Sequence, residues 1–307
     1  MVTLTAHDVT AADGTRLRVW ERSTDEVGAE AVLFLHGGIT CSKALFAPPV
    51  PDDDSYSWLA DAAARGRTAF AVDVRGYGES EGPPEMEEPP EANGPPVRAR
   101  DAVADVRAAF EFVRGRFDVV HLVGVSWGTM TGGVFVAEND SDVASLTQCA
   151  PVYRAPYDFA EGMAAMGLDT DLDAYYVQER ETVEQRQAGG VDDELFEAVW
   201  RTQVESGQGL EWKDAYVAQT GALADVRAAC EDDPVYDAGE IDVPTLVIRG
   251  SDDATSQRSD ALSLYDELDL AEAQREYAEI GSGGHFLVHG PRRGALYATV
   301  ADFQGRS

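Results

Sequence analysis

The chain has 307 residues, enough for one large domain with an insertion but too few for two full domains. Its formal net charge is −32, from 56 acidic and 24 basic residues, which makes nucleic acid an unfavourable partner. The first residues lack the basic and apolar parts of an export signal, and no apolar run reaches about 18 residues, so we expect a cytoplasmic protein with no membrane partner.

The first predicted element is a β-hairpin. Apolar residues alternate at Leu4 and Ala6, a turn follows at residues 12–14, and the alternation resumes at Leu17 and Val19. This pattern predicts an antiparallel edge of a sheet.

Short apolar runs then recur along the chain, as strands buried on both faces require. They lie at residues 31–35, 68–72, 119–123, 144–149 and 245–248, and a further strand-like stretch covers residues 274–280. Helical patterns lie between them, the clearest at residues 56–63 and 99–117. With the hairpin, this alternation predicts an α/β fold built on a doubly wound, mostly parallel, eight-stranded sheet.

Two stretches interrupt the alternation. Residues 82–97 contain six prolines and cannot form a helix; we predict a solvated connector, with a role at the rim of an active site as the alternative. From about residue 153 to 233, polar helical patterns such as residues 194–200 and 212–217 replace strands. We therefore predict a core formed by residues 1–152 and 234–307 and a helical cap formed by residues 153–233.

The most informative stretch is Gly124-Val125-Ser126-Trp127-Gly128. An apolar strand leads into it and a helical pattern of small residues follows, so the serine lies at a sharp turn between strand and helix. Such a turn exposes the Ser126 hydroxyl at the carboxyl edge of the sheet. The amide of Trp127 opens the helix and faces the place where an acyl oxyanion forms. The stretch therefore predicts a nucleophile elbow.

A second Gly-x-Ser-x-Gly match surrounds Ser80. It runs directly into Pro83 and Pro84 and lacks the helix that an elbow requires. We interpret Ser80 as a loop residue.

A serine nucleophile needs a base that accepts its proton and an acid that orients the base. Of the five histidines, His285 is the predicted base, because it follows a strand-like stretch and the flexible residues 281–284. His289 is the alternative, and a purely structural His285 is another. The acid is expected on the loop after the strand at residues 245–248, where Asp252 and Asp253 are both candidates.

Four ordered motifs together point to a known family. They are Leu-Phe-Leu-His-Gly-Gly at residues 33–38, Asp-Val-Arg-Gly-Tyr-Gly-Glu-Ser at residues 73–80, the elbow, and the acid and histidine turns that follow in the order Ser, Asp, His. With these motifs the chain resembles the α/β-hydrolase superfamily, in its serine hydrolase branch, over nearly its whole length. The resemblance implies that Gly38 supplies a second oxyanion amide beside that of Trp127. It also implies that Asp253 is the acid and His285 the base.

By this resemblance the protein cleaves a carboxylic ester or a related acyl substrate through an acyl-enzyme intermediate. Ser126 excludes the branches of the fold that carry an aspartate at this position, the haloalkane dehalogenases and epoxide hydrolases. Residues 36–38 and 126–128 also resemble aminopeptidases that release N-terminal proline, although Ile39 and Val125 depart from that pattern. A third interpretation is a ligand-binding protein that keeps the fold without turnover.

The substrate pocket is expected under the cap. Tyr153, Tyr157 and Trp200 are candidates to line it, with core packing as the competing interpretation for each of them. The expected partner is a small acyl molecule, and the proposed chemistry needs neither a cofactor nor a metal. The oligomeric state is not predicted.

The composition also bears on the environment of the protein. Cys41, Cys149 and Cys230 are far apart and fit neither a disulfide framework nor a zinc site, which is typical of a reducing cytosol. Only two of the basic residues, Lys43 and Lys213, are lysines. Molar salt shortens the screening length to about 3 Å and removes most of the repulsion among so many acids. In these respects the chain resembles proteins of extremely halophilic archaea, with an acidic mesophilic enzyme as the alternative interpretation.

Overall fold

The computed structural model of the chain describes residues 4–24, 28–138, 142–165, 167–168, 170–187, 192–210 and 213–307. Its sheet begins with a hairpin. Strand β1 (Leu4–Thr10) pairs antiparallel with β2 (Arg16–Arg22), and β1 lies at the edge of the sheet. The predicted edge hairpin is confirmed.

Six further strands extend the hairpin into one sheet. In chain order the strands are β3 (Glu30–Leu35), β4 (Thr68–Asp73), β5 (Val119–Val125), β6 (Ser145–Cys149), then β7 (Tyr175–Glu179) and β8 (Ala215–Gln219) in the insertion, and finally β9 (Thr245–Gly250) and β10 (Arg275–Ile280). The order across the large sheet is β1-β2-β4-β3-β5-β6-β9-β10. Strand β2 pairs antiparallel with β4, and the pairs beyond it are parallel. The predicted eight-stranded, mostly parallel sheet is confirmed.

Helices cover both faces of this sheet. In chain order the helices of the core are α1 (Ser42–Phe46), α2 (Trp58–Ala64), α3 (Ala99–Arg114), α4 (Trp127–Ala137), α9 (Arg258–Glu267) and α10 (Arg293–Gln304). Those of the insertion are α5 (Phe159–Ala165), α6 (Arg180–Gln187), α7 (Asp193–Val204) and α8 (Gly221–Cys230). Buried residues of α3, α4 and α9 form one core, and those of α2 and α10 form a second. In β3, Leu33 and Leu35 belong to the first core and Val32 and Phe34 to the second, which explains its unbroken apolar sequence.

The insertion between β6 and β9 is mixed rather than purely helical. It contains α5 to α8, and β7 pairs antiparallel with β8 in a separate two-stranded sheet. The predicted helical segment at residues 212–217 is therefore wrong wherever it is described: Lys213 and Asp214 form a bend, β8 begins at Ala215, and Trp212 lies outside the described residues. A short apolar run does not distinguish a strand from a helix, and here pairing with β7 decides the outcome. The boundaries of the cap at residues 153 and 233 stay a prediction.

The proline-rich stretch at residues 82–97 does more than join two elements. It contains two short 3₁₀ turns, Pro84–Glu87 and Pro90–Ala92. The carbonyl oxygen of Pro90 accepts a hydrogen bond from the amide of Ala174 (3.0 Å), and that of Glu88 accepts one from the hydroxyl of Tyr175 (2.9 Å). The predicted connector thus also supports the start of β7.

Among the helices that the structure describes, none combines the length and apolarity needed to cross a bilayer.

Candidate active site

Ser126 lies at the turn between β5 and α4. Its backbone has φ 53° and ψ −119°, a strained conformation for a residue with a side chain, costing about 1–3 kcal/mol. Hydrogen bonds hold the turn on both sides: the Ser126 amide donates to the carbonyl oxygen of Cys149 (2.9 Å), and the Ser126 carbonyl oxygen accepts from the amide of Thr129 (2.8 Å). The strand, turn and helix of the predicted elbow are present.

The two glycines of the elbow allow a close approach of backbones. A Cβ atom on Gly124 would overlap the carbonyl oxygen of Gly128, and one on Gly128 would overlap the carbonyl oxygen of Leu35. Because the obstacles are backbone atoms, they cannot move aside as a flexible side chain would. The glycine pattern therefore has a steric cause in the packing of α4 on β3 and β5.

Three residues far apart in the chain meet at the carboxyl edge of the sheet. His285 lies on the loop after β10, and its Nε2 is 3.0 Å from the Oγ of Ser126. Its Nδ1 is 2.9 Å from Oδ2 and 3.1 Å from Oδ1 of Asp253, which lies on the turn after β9. Since an ionised carboxylate only accepts, the N–H at Nδ1 donates a hydrogen bond to Asp253. This leaves Nε2 without a proton and free to accept a hydrogen bond from the serine hydroxyl.

The structure distinguishes the two adjacent aspartates. Asp253 is buried, and its Oδ1 also accepts hydrogen bonds from the amides of Thr255 (2.9 Å) and Ser256 (2.8 Å). Asp252 is exposed, and its Oδ1 accepts from the hydroxyl of Ser251 (2.8 Å). Asp253 is therefore the carboxylate that lies against His285.

The charges of this pair support each other. Burial raises the pKa of Asp253, but the charge and hydrogen bond of His285, with the two turn amides, outweigh burial and hold that pKa below 3.8. Burial lowers the pKa of His285, but the Asp253 carboxylate outweighs it and raises that pKa above 6.5. Asp253 is thus ionised at neutral pH, and its negative charge favours the protonated, imidazolium form of His285.

Two backbone amides near Ser126 find no acceptor among the residues that the structure describes. The amide of Trp127 is the first in α4, where no preceding helical carbonyl can accept it. The amide of Gly38, two residues after His36, donates to no residue within the described ranges. The loop that carries Gly38 lies against Ser126, since a Cβ atom on Gly37 would be 3.1 Å from the Cβ of Ser126 and 3.7 Å from its Oγ. These two donors are suited to bind negative charge on an oxygen beside Ser126.

Comparison with known families bears on this arrangement. A family model described as alpha/beta hydrolase fold matches residues 30–290. The chain belongs to this family. No curated protein matches the chain significantly.

Solved structures resemble the chain over almost its whole length. E-2-(acetamidomethylene)succinate hydrolase superposes with a TM-score of 0.68 and 17% identity, covering 98% of this chain and 99% of that chain. The CarC serine hydrolase involved in carbazole degradation gives a TM-score of 0.63 and 18% identity, covering 99% and 100%. The enol-lactonase from Burkholderia xenovorans LB400 gives 0.63 and 16%, covering 97% and 100%. At such identities the similarity concerns the α/β-hydrolase fold itself.

The alternative candidates from the sequence have other roles in this α/β-hydrolase fold. The Nε2 of His289 is 2.9 Å from the carbonyl oxygen of Leu45, in a buried position. The buried hydroxyl of Ser80 donates to the carbonyl oxygen of Asp73 and accepts from the amide of Arg18 (2.8 Å). Neither His289 nor Ser80 joins the group around Ser126.

Two of the three aromatic residues predicted to line a pocket are occupied by packing. The hydroxyl of Tyr153 donates to Glu267 (2.7 Å) and accepts from the amide of Ala238 (3.2 Å). The indole of Trp200 donates to Asp214 (2.8 Å) within the core of the insertion. For Tyr153 and Trp200, core packing is the interpretation that the contacts favour.

Tyr157, the third aromatic candidate, packs against the first core. It is half-buried, and its pKa is raised first by burial and then by the neighbouring Cys230, Asp260 and Asp253. Of the three predicted pocket residues, Tyr157 therefore keeps an electrostatic link to Asp253.

Sequence reasoning missed residues that support this site in the α/β-hydrolase fold. The guanidinium of Arg249 donates to the carbonyl oxygens of Asp253 (3.0 Å) and Ser256 (2.7 Å) and pairs with Glu279 (2.7 Å), so it holds the acid turn in shape. Its signal in the sequence is a single arginine at the end of an otherwise apolar strand.

Asp225 was also missed. This buried carboxylate of α8 accepts from the indole of Trp127 (2.7 Å), the amide of Ala99 (2.7 Å) and the guanidinium of Arg98 (2.7 Å). Burial raises its pKa, and these three donors oppose the shift. Asp225 thereby connects the insertion to the start of α4 by hydrogen bonds. No local sequence pattern predicts such a contact.

Proposed function

We propose that the protein is a serine hydrolase that cleaves a carboxylic ester or a related acyl substrate. Ser126 is the nucleophile, His285 the general base and Asp253 the residue that orients and stabilises the imidazole. The single observation that carries the proposal is the continuous hydrogen-bonded series from Ser126 Oγ to His285 (3.0 Å) and from His285 to Asp253 (2.9 Å). The names of similar structures, which include an enol-lactonase and a thioesterase domain, support acyl chemistry.

The proposed reaction has two halves. As Ser126 Oγ adds to the carbonyl carbon, its proton passes to Nε2 of His285, and the carbonyl oxygen becomes an oxyanion that accepts from the amides of Gly38 and Trp127. The imidazolium then gives the proton to the leaving oxygen, and the acyl group remains on Ser126. In the second half His285 activates a water molecule, which releases the acid by the same steps in reverse.

The substrate is a small acyl compound that enters under the insertion, and Tyr157 is the residue we propose to contact it. The strongly negative chain is proposed to work in a salt-rich cytoplasm, because high ionic strength removes most of the repulsion that a net charge of −32 creates.

Covalent labelling tests the nucleophile. The protein in molar KCl is treated with a fluorophosphonate, and the modified residue is identified by peptide mass spectrometry. We expect label on Ser126, loss of label in Ser126→Ala, and full labelling in Ser80→Ala as the matched control. Label at another serine, or none at all, contradicts the proposal, and absence of label favours a binding protein without turnover.

Substrate choice tests the acyl class. Short nitrophenyl esters are compared with a proline nitroanilide under the same conditions. We expect turnover of the esters that Ser126→Ala abolishes. Cleavage of the anilide alone would instead favour an aminopeptidase that releases N-terminal proline.

A further inference from the structure

The loop that carries Gly38 contains a strained turn. The amide of Thr40 donates to the carbonyl oxygen of Gly38 (2.9 Å), and the residue between them, Ile39, has φ 75°. This is a three-residue γ-type turn in its rare, strained form. A β-branched residue at positive φ is a marked outlier and costs about 1–3 kcal/mol, so surrounding contacts must hold it in place.

One side chain of the insertion bonds the backbone on both sides of this turn. Gln203, in the last turn of α7, is buried; its Oε1 accepts from the amide of Cys41 (3.0 Å) and its Nε2 donates to the carbonyl oxygen of Ile39 (2.9 Å). The two backbone partners fix the orientation of the side-chain amide, because one donates and the other accepts. Glutamine satisfies both partners, whereas an ionised glutamate of the same length can only accept.

The side chain of Ile39 is held by the same part of the chain. It packs against the apolar cluster of the insertion, whose buried members include Trp200, Tyr216 and Ala218. Both the backbone and the side chain of the strained residue therefore depend on the insertion, and the hydrogen bonds from Gln203 are the directional part of that support.

We propose that Gln203 is a positioning residue for the oxyanion site: by bonding Ile39 and Cys41 it holds the turn that aims the Gly38 amide at the oxygen beside Ser126. The inference rests on the function proposed above. Gln203 acts through the turn, since its two polar atoms are engaged with the backbone.

This role predicts a specific kinetic defect. An oxyanion donor matters more in the transition state than in the bound substrate, so a misplaced Gly38 amide lowers kcat and leaves KM nearly unchanged. Complete loss of one such donor costs about 100- to 1000-fold in kcat. Because the turn keeps its remaining contacts, we expect Gln203→Leu to lower kcat by about 10- to 100-fold, within that limit.

The experiment compares Gln203→Leu with Thr202→Val. Thr202 is the neighbouring buried residue of α7, and within the described part of the chain its hydroxyl bonds to the carbonyl oxygen of Ala198 in the same helix and to no other residue. For each variant we measure kcat and KM with a nitrophenyl ester, the inhibition constant of an alkylboronic acid as a tetrahedral mimic, and the midpoint of thermal unfolding. The expected result for Gln203→Leu is a lower kcat, a nearly constant KM and boronate affinity weakened in proportion to kcat/KM, whereas Thr202→Val keeps kcat.

Gln203→Glu gives a second, reversible test should the leucine variant fold poorly. When ionised, the new carboxylate accepts from Cys41 but cannot donate to the carbonyl oxygen of Ile39; when protonated, it donates as glutamine does. As pH falls, the new carboxyl is protonated and regains its donor, so the ratio of the kcat of Gln203→Glu to that of the wild type should rise. Taking the ratio removes the effect of His285 titration, which both proteins share. A ratio that stays flat across pH overturns the inference.

The outcomes separate the two proposals. Suppose that the wild type turns over esters. If Gln203→Leu then has the kcat of the wild type, whether or not its KM changes, Gln203 does not position the oxyanion turn. If the wild type neither turns over esters nor is labelled at Ser126, the proposed function itself fails, whatever Gln203 does.

Discussion

Replacing Asp253 with asparagine tests the proposed triad at the contact between Asp253 and His285. In the native site, Oδ1 of Asp253 accepts hydrogen bonds from the backbone amides of Thr255 (2.9 Å) and Ser256 (2.8 Å), and Oδ2 is 2.9 Å from Nδ1 of His285. These amides fix the new side chain, because they need the asparagine oxygen at the Oδ1 position. The asparagine NH₂ then faces His285 Nδ1.

This orientation imposes the wrong tautomer on the histidine. An NH₂ group facing Nδ1 requires that nitrogen to accept, so the ring proton moves to Nε2, which can no longer take the proton of Ser126. We expect kcat to fall about 10⁴-fold, equivalent to about 5 kcal/mol of transition-state stabilisation, with KM nearly unchanged. Without the Asp253 carboxylate, nothing opposes the effect of burial, and the pKa of His285 falls. The decrease of the remaining activity toward acid therefore occurs at lower pH than in the wild type.

The assay is the pH profile of kcat and KM with a nitrophenyl ester, with circular dichroism as a check of folding. Asp252→Asn is the matched control: that residue is exposed and contacts the hydroxyl of Ser251, so its activity should stay within about threefold of wild type. A loss smaller than tenfold in Asp253→Asn, or a larger loss in Asp252→Asn, would refute the assignment.

Three further outcomes follow from the same structure. In the wild type, activity requires neutral His285, whose pKa is raised, so kcat/KM should fall with decreasing pH at an apparent pKa above 6.5; a limb below 6.5 contradicts the Asp253 contact. Gly128→Ala should lower the free energy of unfolding by about 2 kcal/mol or more in denaturant titrations, because its Cβ meets the Leu35 carbonyl oxygen, whereas Gly82→Ala, with open space around it, should be neutral. The midpoint of thermal unfolding should rise with KCl, since screening shortens from about 8 Å at 0.15 M to about 3 Å at 1 M; a flat response would count against adaptation to salt.

Local sequence patterns predicted the elements that local physics controls. The apolar run of β3 indicates a strand buried on both faces, and the structure confirms it by dividing Leu33 and Val32 between two cores. The elbow around Ser126 was predictable because a strand, a tight turn and a helix leave adjacent signals. The strand at Ala215–Gln219 was missed, because its apolar run also suits a helix and its partner, β7, lies some forty residues earlier.

By itself, the sequence determined the order of strands and helices, the strained serine turn and the set of candidate acids and bases, since each depends on residues within a few positions of one another. Only the tertiary structure shows that Asp253 rather than Asp252 lies against His285, and only the tertiary structure brings Gln203 to the turn at Ile39, across 164 positions of the chain. Adjacent aspartates have the same local pattern, and a buried glutamine gives no periodic signal. Their roles depend on which distant donors and acceptors the packed fold places within about 3 Å of them.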